Sequence, residues 1–171
     1  RDPGEARDVT DLNDRLGFET SSVGCSMAVA FEAFEKGLLT MRDTDGLELK
    51  WGDVQVIETL VKRIARKEGK FATLLADGPK AAAERVGLPD AGVHIKGSGV
   101  NLHDWRRAWG VVVGQAVGGG SGWGPPGADC FTPEPDAGYV TKTDPLSPFG
   151  KGQEVARTGI IKFWNDCYGC C

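Results

Sequence analysis

Glycine and proline are spread unevenly along this chain, and their distribution limits its fold more than any other feature. The 171 residues include 25 glycines and nine prolines, concentrated between Gly114 and Gly152. The centre of that stretch reads Gly118-Gly119-Gly120-Ser121-Gly122-Trp123-Gly124-Pro125-Pro126-Gly127. Glycine leaves the backbone too free for a stable helix, and proline removes a hydrogen-bond donor. Elsewhere, apolar residues recur at three- and four-residue spacing, the pattern of amphipathic helices. The expected fold is mainly α: a multihelical domain or domains with a long Gly/Pro-rich loop.

The helical segments can be placed. Residues 1–8 are charged, contain Pro3 and Gly4, and read as a linker or frayed end. Thr10 is the expected N-cap of a short helix through Leu16, stopped by Gly17. A second helix spans 21–39, capped by Ser21 or Ser22, with Val23, Met27, Ala30, Phe31, Phe34 and Leu38 on its apolar stripe. Cys25 lies inside it and reads as a small buried residue. Asp53 caps a third helix, with Val54, Ile57, Val61 and Ile64 inward and Gly69 as its stop. Lys62, Arg63, Arg66 and Lys67 gather near its C-terminal end, where they favour the helix dipole and read as a solvated face. Phe71 to Leu75 make another turn or two, and Pro79 starts a helix that Gly87 ends. Val93 to Gly97 reads as extended, with His94 packed. Trp105–Val117 reads as a helix with Trp109, Val112, Val113 and Ala116 on its apolar face. Residues 152–166 return to helix. The expected divisions are 1–8, a helical domain over 9–117, and 118–171 as loop plus final helix.

Charge excludes some functions. The net charge is -4, and no basic stripe is present to neutralise phosphates, so a nucleic-acid partner is not expected. No apolar run reaches the ~18 residues of a membrane span. The glycine run is not a phosphate-binding P-loop, because no Gly-Lys-Ser/Thr follows it. The chain opens on Arg1 and reads as a processed product or a piece of something larger.

Three of the five cysteines fall in the last five positions, Cys167-Tyr168-Gly169-Cys170-Cys171. A secreted disulfide framework would spread them, so a reducing, cytoplasmic setting with metal or redox work is expected. Cys25 and Cys130 lack matching spacing for a closed four-ligand zinc site. His103 beside Asp104 reads either as an oriented acid or base or as a helix cap. A turn near the other end, Asp14-Arg15-Leu16-Gly17-Phe18-Glu19, echoes Asp166-Cys167-Tyr168-Gly169-Cys170-Cys171: both read Asp-x-x-Gly-x-(acid or Cys).

These residues carry a resemblance. Asn13 to Ser21 is similar to the first Asp-x-x-Gly-Leu-(Asp/Cys) motif of the tungsten-containing aldehyde:ferredoxin oxidoreductase family. Asn165 to Cys171 resembles the second. Trp51-Gly52-Asp53, Ile64 to Gly69, Leu74 to Gly78, Ile95-Lys96-Gly97 and His103-Asp104-x-Arg106 fall between them in the family's order.

The resemblance implies a tungsten or molybdenum ion held by the dithiolene sulfurs of two pyranopterins. Two mostly helical domains would flank it, with an N-terminal pterin-binding β domain supplied by the rest of the parent enzyme. Asp14, Gly17 and Glu19 would hold one pterin, and Asp166 and Gly169 the other. Lys96 lies in a matching stretch and is a further cofactor-binding candidate. Cys171 would be the fourth ligand of a [4Fe–4S] cluster. The implied reaction is reversible oxidation of an aldehyde to a carboxylate, with electrons passing to ferredoxin or another carrier, and a homodimer is allowed.

This sequence departs from the family at several points. The family's Cys-x-x-Cys-x-x-x-Cys before the first motif is absent. Phe18-Glu19 stands where Leu-Asp is usual, and Cys170 where Leu is usual. The Arg-Gly and nearby His of aldehyde-oxidising members are replaced by the glycine-rich run, so no catalytic residue is visible. Three alternatives follow: the active-site subunit of a benzoyl-CoA-type ring reductase, a helical interaction module that lost the cofactor, or a small zinc-binding domain.

Overall fold

The computed structural model describes residues 2–100, 109–117, 144, 146–156 and 167–168. Its contacts divide the chain into two compact units, Arg1–Val100 and Asn101–Cys171. The division falls ahead of the sixth helix, whereas sequence patterning places a boundary after residue 117.

The first unit carries α1 (Pro3–Arg15), α2 (Thr20–Glu35), α3 (Val54–Arg66), α4 (Gly69–Leu75) and α5 (Pro79–Arg85). A 3-10 turn at Pro89–Ala91 leads to a hairpin of β1 (His94–Ile95) and β2 (Ser98–Gly99). The hairpin is antiparallel, with His94 opposite Gly99 and Ile95 opposite Ser98. The mainly helical fold is the expected one.

The core forms around α2. Val29, Ala30 and Ala33 are completely buried, and Val23, Cys25, Met27 and Phe31 nearly so. The helix contacts α1, α4, α5 and β2. Its buried residues therefore occupy several faces rather than one stripe. α3 is one-sided by contrast. Leu60, Val61 and Ile64 face the core, while Lys62 pairs with Glu58 at 3.1 Å on the outer face. Arg63 donates to the Asp45 carbonyl at 3.3 Å. The basic cluster behaves as the solvated face expected of it.

The helix ends show where local reading succeeds and fails. Asp53 caps α3 as expected, accepting from the Val56 amide at 3.1 Å. α1, however, begins at Pro3 rather than near Thr10, so residues 3–8 are helical and not a frayed end. The reason is local: the Asp2 side chain accepts from Gly4 N at 2.8 Å, Pro3 occupies the first helical position and Glu5 favours the first turn. Thr10 lies inside the helix and returns its hydroxyl to Ala6 O at 3.0 Å.

α3 also stops differently. Lys67 takes the left-handed conformation that ends it, with φ 51°, and Gly69 opens α4 instead. Gly69 has φ 87°, and a Cβ there would overlap the Asp45 carboxylate. That carboxylate accepts from Phe71 N at 3.1 Å. A loop acid 26 residues upstream thus supplies the cap that Glu68, the residue before α4, does not.

In the second unit, α6 spans Trp109–Val117, and residues 151–156 are helical. The apolar face of α6 is reversed from the expected one: Trp109 and Val112 are exposed, while Gly110 and Gly114 are buried. Residues 105–108, and most of the expected helix over 152–166, lie outside the described residues. Among the described residues no helix is long and apolar enough to cross a membrane.

Candidate functional site

The first Asp-x-x-Gly turn is built by two helix ends whose caps, Leu16 and Glu19, are separated by Gly17 and Phe18. Leu16 is the C-cap of α1, and Gly17 follows with φ 75°. Gly17 N donates to Asp14 O at 3.1 Å, and Phe18 N reaches back to Asn13 O at 3.0 Å. This pair of bonds is the Schellman arrangement, and it requires a left-handed residue where Gly17 stands. Phe18 packs against the core. Glu19 then starts α2.

Glu19 is the N-cap of that helix, in place of the expected Ser21 or Ser22. Its two carboxylate oxygens accept from Ser21 N at 2.8 Å and from Ser22 N at 2.7 Å. Burial raises its pKa, but hydrogen bonding from Ser22 and Ser21, through hydroxyls and amides together, outweighs burial and holds the carboxyl below the usual range. The carboxylate is therefore charged and turned onto the helix N-terminus, where the dipole favours it.

Asp14 is different. It is exposed and sits in the last turn of α1. Its carboxylate has no hydrogen bond or ion pair among the described residues, while neighbouring Arg15 pairs with Asp11 at 2.8 Å. A negative charge at the negative end of a helix costs ~0.3–1 kcal/mol. Local stability gives no reason for an acid here. Asn13, just before it, is buried, and its Oδ1 finds no donor among the described residues.

Lys96 lies 77 residues beyond Glu19 in sequence, and the fold brings its turn to the same helix end. Lys96 and Gly97 form the two-residue loop of the hairpin, with φ 52° and 98°. Positive φ at both positions is the geometry that suits a tight hairpin, and it is costly for lysine. His94 closes the turn, its Nδ1 accepting from Gly97 N at 3.3 Å. Gly99 N donates to the Ser22 hydroxyl at 3.0 Å. A Cβ at Gly99 would lie 2.6 Å from Ser22 Cα and 2.9 Å from Ser21 O. The glycine-rich segment is thus closely approached by the backbone of α2. Next to it, the Cys25 thiol donates to Val100 O at 3.6 Å. Burial pushes that thiol up, which leaves it as inert packing.

Asp14, Gly17, Glu19 and Lys96 are therefore all carried by turns that abut the start of α2. Asp166, Gly169 and Cys171 lie outside the described residues, as do Cys130, His103 and Asp104. Sequence singles out Ser22 as a cap candidate and Gly97 and Gly99 as tight backbone, but not the bond between Ser22 and Gly99 that joins the two turns.

The sequence profile described as "Aldehyde ferredoxin oxidoreductase, domains 2 & 3" matches residues 1–171. The chain belongs to that family. It is 33% identical over 111 residues to a tungsten-containing aldehyde ferredoxin oxidoreductase of Pyrococcus furiosus, covering 64% of this chain and 18% of that protein. The corresponding protein of Thermococcus kodakarensis is 31% identical over 105 residues, or 61% of this chain and 17% of its own length. An aliphatic sulfonate oxidoreductase, WOR-like subunit, of Pyrococcus furiosus is 34% identical over 101 residues, 56% of this chain and 16% of that protein. The chain thus spans less than a fifth of the curated relatives it matches.

The residues present can be tested against the pterin this family implies. A pterin ring edge presents N–H donors, so it needs acceptors from the protein. The unpartnered Asp14 carboxylate at the acceptor-rich end of α1 meets that need. Glu19, whose oxygens both face α2, meets it less well.

Proposed function

We propose that this chain forms part of a tungsten-pterin oxidoreductase that interconverts aldehydes and carboxylates. The observation that carries this reading is Asp14: an exposed, unpartnered carboxylate placed where helix electrostatics disfavour it. Positions that run against local stability are where functional residues are expected. Asp14 accepts the N–H edge of one pterin, and Gly17 lets the chain turn sharply enough to leave that carboxylate open. Asp166 and Gly169 serve the other pterin, and Cys171 completes a [4Fe–4S] cluster whose other ligands come from elsewhere in the parent enzyme.

When bound, tungsten (or molybdenum) supplies two-electron chemistry at the carbonyl carbon. One aldehyde and one water give a carboxylate, three protons and two electrons; a [4Fe–4S] cluster held in part by Cys171 would supply one-electron transfer toward ferredoxin or a similar carrier. The protein's part is to hold the cofactor, tune it by hydrogen bonds and exclude water. The reading places the enzyme in the cytoplasm with an N-terminal β domain completing the pterin platform, and this chain by itself inactive.

The test is an anaerobic assay of the full-length protein. Addition of a short aldehyde should reduce a low-potential one-electron dye, two equivalents per carboxylate formed. A protein fully loaded with tungsten that reduces the dye with no aldehyde in a broad panel would refute the assignment. Dye-linked turnover of an aromatic acyl-CoA instead would move the chain to the ring-reductase branch.

A further inference from the structure

The three candidate side chains around the start of α2, Asp14, Lys96 and Glu19, divide into two kinds. Asp14 and Lys96 sit on exposed turns, and each holds an unfavourable local position: an acid at a helix C-terminus, and a lysine at φ 52°. Glu19 caps the helix, each oxygen accepting from an amide of α2.

Ser22 links the two groups. Its amide donates to Glu19 Oε2 at 2.7 Å. Its hydroxyl accepts from Gly99 N at 3.0 Å. Gly99 pairs with His94 across the hairpin whose tip is Lys96–Gly97. The contact is tight, since no side chain fits between Gly99 and the Ser21–Ser22 backbone. A shift in the first turn of α2 therefore moves the hairpin with it. The cap fixes where that first turn sits.

We infer that Glu19 is a positioning residue, which by capping α2 and acting through Ser22 fixes the Lys96 hairpin against the start of that helix, while pterin contact falls to Asp14 and Lys96. This rests on the pterin reading above. It differs from what the family resemblance implies, because the acid that ends the first motif then serves the helix rather than the cofactor.

Neutral short caps separate the two roles. Serine caps a helix well but brings no carboxylate to a ligand. The experiment compares wild-type full-length protein with Glu19→Ala, Glu19→Ser, Glu19→Asp and Ser22→Ala. Two quantities are read: amide hydrogen exchange at Ser21, Ser22 and Gly99, and pterin released per chain. Glu19→Ala should speed exchange at all three amides about five-fold, the effect of one lost cap, and lower pterin content. Glu19→Ser and Glu19→Asp should restore both. Ser22→Ala should speed exchange at Gly99 and lower pterin content while leaving the Ser21 amide protected.

The inference is overturned if Glu19→Ser loses pterin while Gly99 stays protected, because Glu19 would then touch the ligand. It is also overturned if Ser22→Ala leaves Gly99 exchange unchanged. A wild-type protein without pterin would reject the pterin reading. Gly99 exchange in Ser22→Ala would still decide the link between cap and hairpin.

Discussion

Gly99→Ala, in the hairpin that packs on α2, and Gly24→Ala, within α2, are the same substitution in opposite surroundings and should have opposite effects. At Gly99 a Cβ would lie 2.6 Å from Ser22 Cα, 2.9 Å from Ser22 N and 2.9 Å from Ser21 O. Carbon atoms rest ~3.5–4.0 Å apart, so the hairpin must move about 1 Å, against backbone that cannot rotate away. Overpacking of this kind costs ~1–3 kcal/mol. At ~2–4 °C per kcal/mol for a chain of this size, melting should fall by roughly 2–12 °C. At Gly24, within α2, an added Cβ meets nothing within 4 Å. Alanine there gains ~0.4–1 kcal/mol from the smaller entropy of the unfolded chain, or roughly 1–4 °C. Parallel thermal melts followed by helical circular dichroism measure both. Hydrogen exchange at Ser98 and Gly99 locates the damage. A neutral Gly99→Ala, or two variants shifting in the same direction, would refute the reasoning that the hairpin is held by close backbone contact with α2.

Asp14→Asn should stabilise the apoprotein by ~0.3–1 kcal/mol, because it removes an acid from the negative end of α1; urea unfolding would show it. Asp45→Ala should cost ~0.5–2 kcal/mol through the lost cap on α4. Gly69→Ala should cost ~1–2 kcal/mol from φ alone, plus its collision with Asp45. The double variant should cost less than the sum, since removing the carboxylate removes the collision, and a double-mutant cycle checks this. Glu19 predicts an acid-side effect. Its folded pKa is lowered, so its stabilisation is present above the ordinary value of 4.5 and is lost as pH falls below that through the folded value. Melting temperatures from pH 6 to 3 should fall more steeply for wild type than for Glu19→Gln.

Much of the first unit was legible in the sequence, because its helices are written locally. Asp53 before an apolar stripe and Pro79 at a first helical position needed no distant information. α1 was misjudged because Thr10 looked like a cap, while Asp2-Pro3-Gly4-Glu5 carried the true start among charged residues. The faces of α6 were reversed because periodicity favours the large apolar stripe of Trp109 and Val112. Gly110 and Gly114 form the opposite stripe, and small residues give no hydropathy signal. The cap on α4 by Asp45 was invisible because it spans 26 residues.

The site divides along the same line. Asp14, Gly17 and Glu19 stood out as a motif, yet the motif cannot say which acid serves the helix and which stays open. Both jobs require an acceptor of N–H bonds, and only the geometry of Ser21 and Ser22 distinguishes them. The link from Ser22 to Gly99 joins residues 77 apart. No local pattern encodes it.

The central claim is that the Asp14 turn holds a tungsten-bound pterin. The most direct test is metal and pterin analysis of anaerobically purified full-length protein, wild type beside Asp14→Asn. The account predicts tungsten or molybdenum in near-stoichiometric amount, with two pterins per metal, in the wild type. It predicts marked loss of both in a folded Asp14→Asn. Wild-type protein free of tungsten, molybdenum and pterin, or an Asp14→Asn variant that retains its full complement, would contradict it.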